Sequence, residues 1–294
     1  KLKPIILNNF NKKIDFPMEI DNNFSRFLGY WATEGHSYYQ KSNSYAEIGI
    51  SNTDYKINNE VNNLMSNLFN AHINNHISLQ KDRYKAKKDL MTIRCCSVPL
   101  YKYFNLNFNG LTRKAPKKEI PNNIRVISND LKISFLKTAF KGDGFIDSER
   151  FGYSTASYNL AKGYQDLLLN LGIFSYIARE SRDINNYFKV CVSGFESMKL
   201  FFDKIVTKED YRNPRISNFV QRSESKSNDG EIVPRSIITN INSLLKDFRL
   251  SDGYFVNNLK KNQNANIRTV KKYLEKIEKR IEEIEREENT RILR

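Results

Sequence analysis

The sequence contains no run of 18 apolar residues and no signal-peptide pattern. A helical membrane span is therefore not expected, and the reading is of a soluble intracellular protein of the cytoplasm or an organelle. Cysteine is scarce. Cys95, Cys96 and Cys191 are the three present, two of them adjacent, and no Cys-x-x-Cys occurs. That excludes a disulfide framework and a zinc ribbon. Acidic residues are outnumbered, 33 against 48 Lys and Arg, for a net charge of +15. The excess is uneven: +9 over residues 1–128 (19 basic, 10 acidic), +1 over 129–207 (10 and 9) and +5 over 208–294 (19 and 14). Basic excess in two separate regions suits a polyanionic partner.

What is present is sufficient for folded domains. The 294 residues allow one large or two to three smaller domains, and 12% aromatic content argues against general disorder.

An internal repeat organises the chain. DNNFSRFLGYWATEGHSYY from Asp21 and NDLKISFLKTAFKGDGFID from Asn129 align with Glu34 on Asp143 and Gly35 on Gly144, an offset of 109 residues. SNTDYKI from Ser51 then matches STASYNL from Ser154 at an offset of 103, which a hairpin six residues shorter in the second copy explains. Each copy continues with a helical pattern: Val61, Leu64, Met65 and Leu68 in the first, Leu160, Leu167, Leu168 and Leu171 in the second.

Each copy reads as helix, hairpin, helix, hairpin, helix. The hairpins are expected near 37–51 and 72–95, then near 145–156 and 173–193, with closing helices near 97–105 and 195–206. The expected fold is α+β: two pseudo-twofold-related αββαββα halves with four-stranded antiparallel sheets, plus a small C-terminal helical domain. The boundaries read as an N-terminal extension (1–20), first half (21–109), linker (110–128), second half (129–207), linker (208–231) and helical accessory domain (232–294). In that last region Val270, Leu274, Ile277, Ile281 and Ile284 recur at steps of four and three. Two heptads favour a small bundle of short helices over a true coiled coil.

In each repeat a helix delivers an acid at its last turn, followed by glycine. Glycine tolerates the left-handed or extended exit that ends a helix. If the two helices pack side by side, Glu34 and Asp143 meet at one axis. Paired carboxylates repel unless cations lie between them. Hard divalent ions suit such a pair, and can activate water and stabilise the leaving oxygen of a phosphodiester.

FLGYWATEG (Phe27–Gly35) and LKTAFKGDG (Leu136–Gly144) resemble the paired motifs of LAGLIDADG, or dodecapeptide, homing endonucleases, over roughly residues 20–206. The small residues the family favours at its helix interface are present at Gly29 and Ala32, whereas the second copy has Thr138, Ala139 and an unusual Lys141. The resemblance implies metal binding by Glu34 and Asp143, with the carbonyls of Thr33 and Gly142 as further ligands. It implies Mg2+ as the cofactor, with Mn2+ or Ca2+ able to occupy the same sites. It also implies a monomer that makes a staggered double-strand break in a long asymmetric duplex site. KKEIP (Lys117–Pro121) resembles the Lys-x-Ile-Pro of the intein-associated branch, which maps a catalytic lysine to Lys118. A symmetry partner for it is expected after the second sheet, with Lys208 and Arg212 as candidates.

DNA contacts are expected from the sheets, because a two-stranded ribbon fits the major groove and alternate side chains reach base edges. The first half offers Tyr38, Gln40, Lys41 and Asn43, then Gln80, Arg83, Lys85 and Lys87. The second offers Arg150, Tyr153, Arg179 and Arg182, with Lys208 and Arg212 beyond. Arg268 and Lys271 in the C-terminal region are candidate phosphate contacts. Two other readings stay open. One is a non-cleaving binder on the same scaffold, an RNA maturase or transcription regulator. The other is a different metal nuclease using His72 and His76, whose spacing suits a helical metal site but which fall where a strand is expected.

Overall fold

The computed structural model describes residues 2–4, 14–71, 73–78, 89–148, 150–182, 185–225, 232–233, 235–250 and 265–292. The chain divides into two compact units, Lys1–Arg222 and Ser223–Arg294.

The first unit is built twice over. Helix α1 (Asn22–Glu34) starts where the Asp21 carboxylate accepts from the Phe24 N–H, satisfying one of the unpaired donors at a helix start. It runs directly into the hairpin β1 (Gly35–Gln40) and β2 (Tyr45–Asn52), then α2 (Tyr55–Phe69), capped by Asp54. Strands β3 (Asn74–Ser78) and β4 (Leu90–Cys96) follow, then α3 (Val98–Asn107), capped by Ser97. The connection carries two single-turn helices, α4 (Asn109–Thr112) and α5 (Asn122–Arg125). The plan then repeats as α6 (Asn129–Asp143), β5 (Gly144–Ile146), β6 (Phe151–Thr155), α7 (Tyr158–Asn170), β7 (Ser175–Arg182), β8 (Asn185–Val192) and α8 (Phe195–Lys204). The sheets have matching antiparallel orders, β1-β2-β4-β3 and β5-β6-β8-β7. Helix α9 (Asn213–Ser225) follows, and its Ile216 and Val220 join the core of this unit.

The two-residue period of the strands decides what each sheet face carries. In β2, Ala46, Ile48 and Ile50 are buried towards the helices. Tyr45 and Glu47 therefore point to the other face, where the register sets Tyr38 opposite Glu47 and Arg94 opposite Gly49. In β6, Phe151, Tyr153 and Thr155 are buried, and Ser154 on the other face lies opposite Lys189.

In the second unit, β9 (Ile232–Val233) pairs antiparallel with β10 (Ala265–Asn266). Helices α10 (Arg235–Asp247) and α11 (Ile267–Ile292) pack through Ile238, Ile241, Leu245, Val270, Tyr273 and Ile277. Here the expectation of short helices is corrected: α11 is a single helix of 26 residues. The expected apolar stripe is only partly used. Leu274 and Ile281 stay 39% and 38% exposed, and Tyr273 takes part in the core instead. At 1.5 Å per residue, α10 is about 20 Å long and α11 about 39 Å, so α10 can cover only part of its partner. No helix among the described residues is long and apolar enough to cross a membrane.

Candidate functional site

Helices α1 and α6 approach closely because small residues face each other. A Cβ at Gly29 would collide with Thr138 Oγ1 and the Phe135 carbonyl. One at Gly142 would collide with Thr33 Oγ1 and Cβ and lie 3.4 Å from Glu34 Cγ. Positions 29 and 138 are equivalent in the repeat, as are 33 and 142, so the contact follows a pseudo-twofold axis. The same symmetry appears at the other end of the pair. Ser25 Oγ donates to the Leu131 carbonyl (2.6 Å), and its equivalent Ser134 donates to Asn22 Oδ1 (2.6 Å).

This crossing brings together the helix ends that carry Glu34 and Asp143. Each acid is the last residue of its helix. Gly35 and Gly144 follow with extended backbone (φ −76° and −69°), and their N–H groups donate to the Trp31 and Phe140 carbonyls. Glycine is needed there for space: a Cβ on Gly35 would strike Trp31, and one on Gly144 would strike the Phe140 carbonyl and Arg212.

A carboxylate at a helix C-terminus is electrostatically misplaced, since the unpaired carbonyls already carry negative partial charge. Two buried cations offset this. Lys118 Nζ donates to the carbonyls of Trp31 (3.0 Å), Ala32 (3.0 Å) and Gly35 (2.7 Å). Arg212 donates to Phe140 (2.7 Å), Lys141 (3.5 Å) and Gly144, the three equivalent carbonyls. Of the two candidates for a symmetry partner of Lys118, Arg212 occupies the position and Lys208 is exposed. Three carbonyls occupy the three N–H donors of an ammonium group. In this geometry Lys118 acts through its charge and by holding the helix end.

Charge within the site is tightly balanced. Burial, reinforced by Glu34, pushes the Asp143 carboxyl up to about 8, against an opposing pull from Lys118. Burial also raises Glu34, with Lys118 opposing. Burial pushes the Lys118 amine down to about 8, while Asp143 and Glu34 hold it up. Asn52, on β2, donates to Glu34 Oε1 (3.1 Å). The repeat locates this position, because Asn52 aligns with Thr155, but nothing in the sequence marked it as a neighbour of the acid.

The donor set fits a hard divalent ion. Two carboxylates meet at two helix ends, and burial and mutual repulsion disfavour the doubly charged state unless a cation joins them. In each last turn the carbonyl nearest the acid, that of Thr33 or Gly142, receives no basic side chain among the described residues. No group of three or more His, Cys, Asp and Glu able to hold a metal occurs among the described residues. A metal here would thus take few protein ligands and keep several waters, as Mg2+ tends to. His76 lies on β3 and is exposed, while His72 is outside the described residues.

The other candidates sort by exposure. Tyr38, Gln40, Lys41 and Asn43 form an exposed tip on the first hairpin, where Tyr38 and Asn43 both donate to Gln40. Arg179 is exposed and donates to Asn186 Oδ1. Arg150 is half-buried and pairs with Asp147 and Glu180. Gln80, Arg83, Lys85 and Lys87 lie outside the described residues, as do the side chains of Arg182 and Arg268. Lys271 is exposed on α11.

Two expected DNA contacts are corrected. Tyr153 is fully buried, stacked on Tyr164 (4.6 Å between centroids) with its hydroxyl donating to the Leu136 carbonyl. Its place on β6 turns it towards the helices. Arg212 is 2% exposed, with its guanidinium committed to carbonyls and Asp210. Sequence reading also missed the hub at Glu60, whose carboxylate accepts from Arg26 (2.5 Å), Tyr30 (2.7 Å) and Lys141 (3.1 Å). That contact accounts for a lysine in the motif helix.

The family model described as "LAGLIDADG-like domain" matches residues 130–206. A glutamine–fructose-6-phosphate aminotransferase (isomerizing) from Methanocaldococcus jannaschii is 32% identical over 107 residues, 35% of this chain and 10% of that protein. The chain thus spans about a tenth of the length of the curated relative it matches. Among solved structures, I-DmoI in complex with DNA and Mn aligns with a TM-score of 0.47 at 18% identity, over 64% of this chain and 98% of that one. Full-length DUF199/WhiA from Thermatoga maritima aligns with a TM-score of 0.42 at 14% identity, over 90% and 92%. Helix α6 with its acid, both strand pairs that follow and helix α8 make up the segment that matches the LAGLIDADG-like domain, and the first half repeats that segment element for element.

Proposed function

We propose that the protein is a site-specific endonuclease that hydrolyses both strands of a long, asymmetric duplex DNA site, acting as a monomer and leaving staggered ends. The observation that carries this reading is the meeting of Glu34 and Asp143 at two packed helix ends, each braced by a buried cation. In the hydrolysis a water oxygen bonds to phosphorus, the P–O3′ bond breaks, and the proton given up by water ends on the O3′ leaving group. Bound Mg2+ would polarise that water and stabilise the leaving oxygen. Glu34 and Asp143, with the carbonyls of Thr33 and Gly142, would hold it.

The chain's own residues do the rest. Lys118 and Arg212 fix the helix ends and offset their negative charge. The sheet faces and the tip at Tyr38, Gln40, Lys41 and Asn43 read the duplex, while Arg179 and Lys208 meet phosphates. The KKEIP segment favours the intein-associated branch. Selection of sites from a random duplex library in Mg2+ tests the reading, followed by cleavage of the selected duplex by wild type and by Glu34→Gln. Metal-dependent cleavage that the variant loses supports it. Tight binding without cleavage in Mg2+ or Mn2+ would instead identify a non-cleaving binder.

A further inference from the structure

Away from the acids, the α1–α6 pair breaks its pseudo-twofold symmetry. A cavity of about 260 Å³ lies beside the pair, against α2 and the segment after α8. Arg26, Lys137, Lys141 and Glu60 line it, three cations to one carboxylate. The repeat equivalents of Arg26, Lys137 and Lys141 are Phe135, Leu28 and Ala32, all fully buried. The equivalent of Glu60 is Gly163, where a Cβ would lie only 2.7 Å from Ile120 Cγ1. One set of positions is thus filled by apolar packing, and the other is charged and surrounds a cavity. Glu60 does not neutralise that charge. Burial favours its uncharged form, but bonds from Tyr30, Lys141 and Arg26 outweigh this and hold the carboxyl below its usual range. As an ion it leaves an excess of two positive charges. Arg26 and Lys141 have more N–H donors than Glu60 takes up, and Lys137 has no carboxylate partner among the described residues. Thr207 also lines the cavity, and its Oγ1 is buried with no hydrogen-bond partner among the described residues. A buried hydroxyl is rarely left so.

We propose that this cavity binds one small phosphoryl anion, phosphate or pyrophosphate, through Arg26, Lys137, Lys141 and the Thr207 hydroxyl. Three cations held together repel one another, and an oxyanion among them relieves the excess that Glu60 leaves. Charge-assisted bonds to several oxygens at once are the strong ones, and a guanidinium matches the geometry of a phosphoryl group. The volume is below the roughly 300–1,000 Å³ of sites that enclose drug-sized ligands, so the anion fits and a whole nucleotide does not. A bound anion would tie α1 and α6 to the segment after α8. The binding needs neither metal nor DNA, so it stands apart from the endonuclease reading.

The test is calorimetric titration of the full-length chain with sodium pyrophosphate, and separately with sodium phosphate, in EDTA at constant ionic strength. At least one of the two should bind saturably, one per chain, with Kd below about 1 mM. Lys137→Ala removes a charged donor at a half-buried position and should weaken binding at least about tenfold. Thr207→Val removes one neutral donor and should weaken it about fivefold. Lys199→Ala, at an exposed lysine on α8 outside the cavity, should bind as wild type does. No saturable binding of either anion by wild type up to about 10 mM overturns the inference, whether or not the variants fold. Binding that Lys137→Ala leaves unchanged overturns it too, because the anion then sits elsewhere on a basic surface. A repeat titration in the presence of duplex DNA separates the sources of the phosphoryl group. Binding that persists supports a free anion. Loss of binding to any duplex, with a DNA salt dependence flattened by about 0.9 in log–log slope in Lys137→Ala, assigns the cavity to a backbone phosphate and overturns the free-anion inference. None of these outcomes depends on whether the protein cleaves DNA.

Discussion

Gly142 packs against Thr33, the residue that occupies its own position in the first repeat, and four residues earlier Thr138 packs against Gly29 in the reverse sense. The helix pair therefore closes through two glycine–threonine contacts, one near its middle and one beside the acids. The two contacts should respond differently to added volume.

Gly29→Ala drives a methyl group into a backbone carbonyl, that of Phe135, which cannot move without shifting α6. The expected loss is about 1–3 kcal/mol of stability, the usual cost of overpacking. Gly142→Ala meets chiefly the Thr33 side chain and crowds Glu34 Cγ. It should cost less stability but reduce strand cleavage at least about tenfold by displacing a carboxylate, since small misplacements are expensive in catalysis. Thermal melts and cleavage rates on the two variants check this. Equal loss of both properties in both variants would contradict it.

Replacing either acid isosterically, Glu34→Gln or Asp143→Asn, should leave DNA affinity largely intact and reduce double-strand cleavage by roughly two orders of magnitude or more. Gel-shift titration beside cleavage of the selected site separates the effects. Full activity in either single variant would refute the paired-acid assignment.

The acids also set a pH dependence in the metal-free protein. Burial and the Glu34 charge raise the Asp143 carboxyl to about 8 in the fold, against an ordinary 3.8. The folded state then holds this proton more tightly than the unfolded chain does. No penalty exists below about pH 4, where both states are protonated, and stability is lost as pH rises from there to about 8. Asp143→Asn removes that loss. In EDTA it should melt near wild type at pH 4 and several degrees higher at pH 8.5. Lys118 opposes the trend in part, because the variant also removes a negative charge that holds its amine up. A melting difference that does not grow with pH would show that the Asp143 carboxyl is not raised by its surroundings.

The buried aromatic and the exposed one on the two first hairpins should separate in the same way. Tyr153→Phe loses the hydroxyl bond to Leu136 (3.0 Å) and should cost about 1 kcal/mol of stability without changing DNA affinity. Tyr38→Ala, at a side chain 51% exposed, should change stability by less than about 0.5 kcal/mol. Weaker DNA binding in Tyr38→Ala alone is the expected pattern.

These residues also mark what could be read beforehand. The helices, hairpins and paired acids were legible because one pattern occurs twice, and hydrophobic period, glycine and acid recur in the same order. Tyr153 was misplaced by one step of a strand. In a two-residue period that one step exchanges core for surface, and the short segment Phe151–Thr155 gives little alternation to fix the phase. The partner of Lys118 could not be singled out for a different reason. Lys118 and Arg212 come from connections that obey neither offset of the repeat: they stand 94 residues apart, whereas the carbonyls they hold stand 109 apart. Asp210 carried no sequence signal, because its role exists only once Arg212 is folded onto α6.

The unit Ser223–Arg294 permits a test by deletion. Its own core joins Ile238, Ile241 and Leu245 on α10 to Val270, Tyr273 and Ile277 on α11, so it can be removed without opening the core that holds the acids. The cut should fall after Ser225, because α9 ends there and its Ile216, Phe219 and Val220 pack on the first unit, Phe219 against Phe151. The remaining protein should fold and cut the selected site at high enzyme concentration. Lys271 and Lys272 are exposed near the start of α11, ahead of the acidic run from Glu282. If these lysines meet phosphates, they add affinity with little sequence information. Deletion should then weaken binding and flatten its dependence on salt by about 0.9 in log–log slope for each phosphate no longer neutralised. Lys271→Ala with Lys272→Ala in the full chain should reproduce up to about 1.8 of that change. If the deletion binds as tightly with an unaltered slope, the unit does not touch DNA, and its exposed Leu274 and Ile281 point to a protein partner instead.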